Sequence, residues 1–469
     1  MSRFRYPSDC LNHQRYDNYI RGIHLVNPSW QFISLPQFSR NAFNPLPSLL
    51  QRPFEEVDSY RSLKSIDVAG FDVPKPAQNF EEVNFPQGIQ VVIKQTGFSE
   101  PTPIQAQSWS IALSGRDMIG VAVTGSGKTL AYLLPAITQV LSQRQYVDRK
   151  YPLAVILAPT RELALQIHQV LIKFSMYMPV RTVCIYGGIN VQQQLDTLGK
   201  NGVDIVVATP GRLLHFMSIN RICLYYCTYI VIDEADLMLA MGFIPQIQRV
   251  LGQIRKDRQV LMFSATFPAT ARSLATQILM NYIHVTVGTV NQNILQIVMV
   301  CEEEEKKEKL YQLLKEIQCE KNKQTLLFVK AKKKALILTE NLKLAGFNVE
   351  GFHAGKKQKV REKTLKQFKA GEITTLVTTD VASRGLDIKE IRYVINYDFP
   401  KVVAIYVHRI GRTARGNKHG TAFTFFTDKD WHQVGDLIDI LKDTNQRIPS
   451  DLLQEPVTKP VLGKRKRKK

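Results

Sequence analysis

Short, almost wholly apolar runs recur along this chain in two separate series, each run ending in small or polar residues. The first series occupies residues 118–123, 153–158, 182–186, 205–208, 229–232 and 259–263. The second occupies 325–329, 348–352, 374–377, 393–396 and 421–426. Helical patterns fill most of the intervals. A run without polar alternation reads as a strand buried on both faces, which a parallel sheet covered by helices provides. Two series therefore predict two doubly wound α/β domains, and 469 residues exceed what one core usually holds. The expected domains are 71–288 and 294–445, joined by a linker at 289–293 where Gly, Thr and Asn interrupt the pattern. Residues 1–70, rich in Asn, Gln, Ser, Pro and Tyr, are expected to form a largely irregular arm, and 446–469 a basic tail.

Composition narrows the partners. Lys and Arg number 62 against 41 Asp and Glu, a formal charge of +21. That excess favours a polyanion, with nucleic acid first, over a merely solvated basic surface. The final residues, Lys464-Arg465-Lys466-Arg467-Lys468-Lys469, fit nuclear import, nucleic-acid contact or plain solvated charge. No apolar run approaches the ~18 residues of a membrane helix, and the first residues lack the apolar stretch of a secretory signal. Six scattered cysteines make no disulfide framework, and Cys223 and Cys227 lack the further ligands of a zinc site. Reduced thiols in cytosol or nucleus are expected.

Three motifs carry chemistry. Ala122-Val123-Thr124-Gly125-Ser126-Gly127-Lys128-Thr129 follows an apolar strand and opens a helix. Small residues there let backbone N–H groups approach phosphates, and the helix adds its positive end. Lys128 would reach the β- and γ-phosphates, and Thr129 would help hold Mg²⁺. Asp233-Glu234-Ala235-Asp236 also follows a strand. Asp233 would hold Mg²⁺ and Glu234 would orient or deprotonate the attacking water, although acidic residues also simply favour helix starts. Arg412 and Arg415, three apart, could face one way and stabilise charge on a γ-phosphoryl group, or form surface ion pairs. Lying almost three hundred residues apart, loop and arginines would come from two domains that close on each other.

These stretches belong to an ordered set: 97–105 (GFSEPTPIQ), 122–129, 159–164 (PTRELA), Gly187-Gly188, 209–212 (TPGR), 233–236 (DEAD), 264–266 (SAT), 379–388 (TDVASRGLDI) and 408–415 (HRIGRTAR). The chain from about residue 55 to 445 resembles a DEAD-box ATP-dependent RNA helicase of superfamily 2. Residues 293–301 and 412–415 resemble the branch containing the nuclear RNA-processing helicases. The resemblance implies two tandem RecA-like domains with a cleft between them. It implies that Gln105 reads the adenine edge, that Phe98 packs on its ring and that Phe80 is the family's upstream aromatic. Gly385 and Asp387 would approach ribose and phosphates. Ser264, Thr266 and His408 would couple hydrolysis to RNA. RNA contacts would fall on Pro159, Thr160, Arg161, Gly188, Thr209, Gly211, Arg212, Gln358, Arg361 and Thr379. Backbone amides and arginines suit phosphates, which position a strand without reading its sequence. Lysines at 332–334 and 356–369 would widen this track or form a solvated helix face.

Departures from the family pattern leave the catalytic residues intact. Ala122 replaces the first loop Gly, Val123 the usual Gln, and Leu237 a frequent Arg. Residues 354–357 read Ala-Gly-Lys-Lys where the family has Gly-Asp-Lys-Ser. The resemblance thus implies a monomeric enzyme that uses ATP and Mg²⁺ to unwind short RNA duplexes or remodel RNA–protein complexes without sequence preference. Protein cofactors are conceivable and no membrane is involved. Nucleus or nucleolus is the expected location, with cytoplasm as the alternative, and the setting would be RNA processing or ribosome biogenesis. The rivals are an ATP-gated RNA clamp with little turnover of its own and a DNA helicase.

Overall fold

The computed structural model describes residues 25, 27–148, 150–198, 202–288, 293–320, 323–353, 355–356, 358–380, 391–414 and 419–453. Gly385, Asp387, Arg415, Ala354, Lys357, most of the expected linker and the basic hexamer lie outside them, as does the Gln358 side chain. The chain divides into two compact units that meet in sequence near residue 289.

Among the described residues, the first unit carries eight strands: β1 (Ile66–Ala69), β2 (Met118–Ala122), β3 (Ala154–Leu157), β4 (Thr182–Ile185), β5 (Ile205–Ala208), β6 (Tyr229–Ile232), β7 (Gln259–Ser264) and β8 (Ile283–Val287). Their order across the sheet is β1-β8-β2-β7-β6-β3-β5-β4. Every pairing from β8 to β4 is parallel, and only β1 runs antiparallel, against β8. Alternate residues of each central strand enter two cores. Ala154 and Ile156 of β3 pack on one face, Val155 and Leu157 on the other, and β5 and β6 divide likewise. That double burial is why the runs are unbroken by polar residues. Parallel pairing also brings the carboxyl ends of β2, β7, β6, β3, β5 and β4 to one edge, where the motifs begin.

Residues 47–69 correct the expectation of an irregular arm. They form helices Pro47–Gln51 and Phe54–Leu63 and strand β1. The helices hold the lead-in to the motifs. Buried Arg52 donates to Glu82 at 2.5 Å and to the Pro76 carbonyl at 3.1 Å, while Glu82 also accepts the Gln78 N–H at 2.8 Å. Arg61 donates to the Pro74 carbonyl at 3.2 Å and to Gln107 at 3.0 Å. Breaking a buried pair such as Arg52–Glu82 costs about 3–5 kcal/mol, so this segment is part of the unit.

The second unit has strands β9 (Ile294–Val300), β10 (Thr325–Phe328), β11 (Val349–Phe352), β12 (Thr375–Thr378), β13 (Tyr393–Asn396) and β14 (Gly420–Phe426). Their order is β11-β12-β10-β13-β14-β9, and all described pairings are parallel. Three strands, β1, β8 and β9, were not among the runs that the sequence pattern picked out.

Candidate functional site

The phosphate-loop sequence closes between β2 and helix Lys128–Gln143. Gly125 and Gly127 take φ of +85° and +93°, values side chains oppose, and a Cβ on Gly127 would lie 2.5 Å from Gln105 Nε2. The Ser126 N–H donates to the Val123 carbonyl at 3.3 Å. Lys128 turns back over the loop, its ammonium on the carbonyls of Ala122 at 2.5 Å and Val123 at 3.0 Å. The buried Ser126 hydroxyl has no hydrogen-bond partner among the described residues. A concave loop with a poised ammonium and an unspent hydroxyl suits an oxyanion.

Gln105 sits in the first turn of the buried helix Pro103–Leu113. Its Nε2 donates to the Gly127 carbonyl at 3.0 Å, and its Oε1 accepts the Thr102 N–H at 3.1 Å. One hydrogen and one lone pair of the amide remain, enough to pair with an adenine edge. Phe80 is half-buried, its ring 5.8 Å from Trp109, whereas Phe98 is exposed just beyond Gly97.

Two strands from the loop, β6 delivers the acidic motif. Asp233 is buried, with Oδ1 accepting the Glu234 N–H at 2.9 Å and Oδ2 accepting the Tyr132 hydroxyl at 2.9 Å. Burial, then the neighbouring Glu234 charge, pushes its carboxyl up to about 6. The Lys128 charge opposes this without cancelling it. A carboxylate held in so dry a place favours a cation. Glu234 occupies the left-handed region, φ 50° and ψ 52°, a conformation that costs about 1–3 kcal/mol outside glycine. Asp236 is a hub: its N–H donates to Ser264 Oγ at 3.2 Å, and its Oδ2 accepts the Thr266 N–H at 3.0 Å and hydroxyl at 2.7 Å. Ser264 and Thr266 thus join the end of β7 to the acidic motif.

Farther along the same edge, β3 and β5 are neighbours, with Leu157 beside Ala208. Each leads into a helix N-terminus. Thr160 caps helix Arg161–Ser175 by accepting the Leu163 N–H at 3.3 Å, and Thr209 precedes helix Pro210–Ser218, which contains Gly211. Pro159 is buried at the first of these turns. Gly188, after β4, takes φ +88°, and Arg161 lies 5.1 Å over the Tyr186 ring. Adjacent helix starts offer amides and partial positive charge to phosphates. Arg212 differs: it is buried, donating to Gln194 at 3.0 Å and to the Ile189 carbonyl at 3.0 Å. These bonds hold its guanidinium at the edge that carries the other expected RNA contacts.

The signature described as DEAD/DEAH box helicase matches residues 102–274, and that described as helicase conserved C-terminal domain matches 305–417. The chain is 42% identical over 444 residues to "ATP-dependent RNA helicase DBP2" of Debaryomyces hansenii, spanning 94% of this chain and 82% of that protein. It is 46% identical over 439 residues to "Probable ATP-dependent RNA helicase DDX17" of Mus musculus, covering 92% of this chain and 67% of that one. The human counterpart is covered to 60%. The chain belongs to the DEAD-box RNA helicases. Among solved structures, Mss116p bound to ssRNA and AMP-PNP superposes with TM-score 0.69 at 28% identity, over 81% of this chain and 82% of that one. Dbp5 of S. cerevisiae, bound to RNA and ADP BeF3, gives 0.67 at 30% identity, over 80% and 96%. Both RecA-like units are those of this helicase family.

In the helicase's second unit, His408 and Arg412 lie at the end of helix Val403–Ile410, both buried. Arg412 Nε donates to the His408 carbonyl at 3.3 Å. Arg409 fixes this helix: it grips Asp380 with Nε at 2.5 Å and Nη2 at 3.0 Å, and its Nη1 donates to the Asp398 carbonyl at 2.7 Å. Thr379 is buried beyond β12, Arg361 lies on helix Gln358–Lys369, and Gln358 begins that helix. Lys334, expected on a basic track or a solvated face, is instead paired with Asp398 at 2.5 Å and Glu303 at 3.1 Å. Sequence reasoning passed over Tyr132 and Arg409. Arg409 lies inside a quoted motif, so its signal was present, whereas Tyr132, four residues from Lys128, shows in sequence only as an aromatic of the helix.

Proposed function

We propose that the chain is an ATP-dependent RNA helicase that locally separates RNA duplexes or remodels RNA–protein complexes. The observation that carries this is the shared sheet edge, where the loop and acidic motif adjoin two helix starts, with Asp236, Ser264 and Thr266 between them. In this reading residues 71–288 bind ATP and 294–445 supply Arg412 and Arg415. The residues fit Mg²⁺ and triphosphate: Asp233 and Thr129 would hold the cation, whose charge offsets that of the phosphates. Lys128 and the loop amides position the γ-phosphate, and Glu234 accepts the proton of the attacking water. Pro159, Thr160, Arg161, Gly188, Thr209, Gly211, Arg212, Gln358, Arg361 and Thr379 line the RNA path. RNA-binding relatives, the +21 charge and the basic tail support RNA as partner and nuclear RNA processing as setting.

The test is ATP hydrolysis with and without single-stranded RNA, with DNA as comparison. RNA should stimulate turnover, and Glu234→Gln should lower it at least ~100-fold. Stimulation by DNA alone would overturn the RNA assignment. ATP-dependent RNA retention with little turnover would favour the clamp.

A further inference from the structure

The helix that follows the phosphate loop carries a side chain with no assigned role. Tyr132 is fully buried, four residues from Lys128 and three from Thr129. Its hydroxyl donates to Asp233 Oδ2 at 2.9 Å. The other carboxylate oxygen accepts the Glu234 N–H at 2.9 Å. Both oxygens are thereby fixed, each with a lone pair left for another ligand. The phenol is enclosed by its neighbours. Its ring lies 5.3 Å from that of Phe263, and its backbone carbonyl accepts the Tyr229 hydroxyl at 3.1 Å. Phenylalanine would fill nearly the same volume, and a buried hydroxyl is costly unless it is partnered. Packing alone therefore does not call for the oxygen.

We propose that Tyr132 is a positioning residue that sets the rotation of the Asp233 carboxylate. The carboxylate assigned to the cation is then presented with its orientation already set. Outer partners of this kind orient ligands and typically change metal affinity 10–100-fold when removed. The inference rests on the ATP and Mg²⁺ reading given above.

The test uses the full chain and equilibrium binding of a fluorescent, non-hydrolysable ATP analogue, titrated with Mg²⁺ and repeated in chelator. Tyr132→Phe should raise the Mg²⁺ midpoint about tenfold while metal-free nucleotide affinity stays within about twofold. Tyr229→Phe removes a neighbouring buried hydroxyl without touching Asp233, and should leave the midpoint unchanged. A Tyr132→Phe midpoint equal to wild type, with wild type clearly Mg²⁺-dependent, overturns this inference and spares the functional reading. An equal shift in Tyr229→Phe also overturns it, because general loosening of the helix would then explain both. Wild-type binding that ignores Mg²⁺ would sink the functional reading and this inference together.

Discussion

Two clusters of acids, each with a buried aspartate and one in each unit, are built on opposite principles. In the second unit Asp398 is saturated: Lys334 Nζ lies at 2.5 Å, Lys306 Nζ at 3.6 Å and the Lys330 N–H at 2.9 Å. Glu303 completes the cluster, 3.1 Å from both Lys306 and Lys334, and the Tyr397 ring lies beneath the two ammonium groups. Burial alone would raise Glu303, but these lysines outweigh it and hold its carboxyl at about 2. In the first unit Asp233 receives hydrogen bonds yet stays raised to about 6, beside a strained Glu234. The lysine cluster is satisfied by the fold. In the acidic motif, burial holds Asp233 above its ordinary value despite its hydrogen bonds, a cost of the kind that clusters at functional sites.

The contrast is broken most severely in rate. Glu234→Gln should reduce RNA-stimulated hydrolysis at least ~100-fold with little change in melting temperature, since only the proton acceptor is lost. A comparable substitution in the other cluster should do the reverse. Asp398→Ala leaves Lys306 buried with Glu303 alone, and should destabilise the second unit by about 3 kcal/mol. Hydrogen exchange of peptides from each unit would locate the loss. Equal loss in both units would mean that the cluster is not a local feature of the second.

A smaller effect has the unusual sign. Asp233→Asn abolishes the proposed cation site, yet it also removes a charge that burial penalises. Without nucleotide or metal it should stabilise the first unit by ~1–3 kcal/mol, read as a higher melting temperature. A lower melting temperature would show that the hydrogen bonds to Asp233 outweigh its desolvation.

How much of this was legible follows from locality. β3, β5 and β6 were visible because burial on both faces leaves runs such as Ala154–Leu157 with no polar interruption. β1, β8 and β9 are buried more on one face, and segments such as Ile283-His284-Val285-Thr286-Val287 alternate too briefly to stand out from coil. Helix Phe54–Leu63 is polar over most of its surface, and the adjoining Arg52 is anchored to Glu82 thirty residues away. No local pattern encodes that partnership. The motif residues were legible by order and spacing, whereas Tyr132 reads as one more core aromatic. Only the fold brings its hydroxyl to a carboxylate 101 positions distant. Arg212 shows the converse, since a motif arginine also bonds within the scaffold.

The smallest prediction separates the clusters by pH. Asp233 has a folded value above its ordinary one, so between about pH 4 and 6 the folded state holds a proton that the unfolded state has lost. Its penalty is full above 6 and fades as pH falls. The advantage of Asp233→Asn should therefore be greatest near pH 7–8 and vanish near pH 4. Glu303 is depressed, so its contribution is complete above its ordinary value of 4.5 and is lost as pH falls towards about 2. Being about one-third exposed, it contributes no more than about 1 kcal/mol. The cost of Glu303→Gln should stay flat from pH 8 to 5 and shrink only below. Differencing each variant against wild type removes the groups they share, including Asp117, which burial also raises. Between pH 6 and 5 the two difference curves should part, one falling and the other level. Parallel curves would mean that Asp233 is not held at a cost, and the distinction between an acid relieved by lysines and one raised by burial would fail.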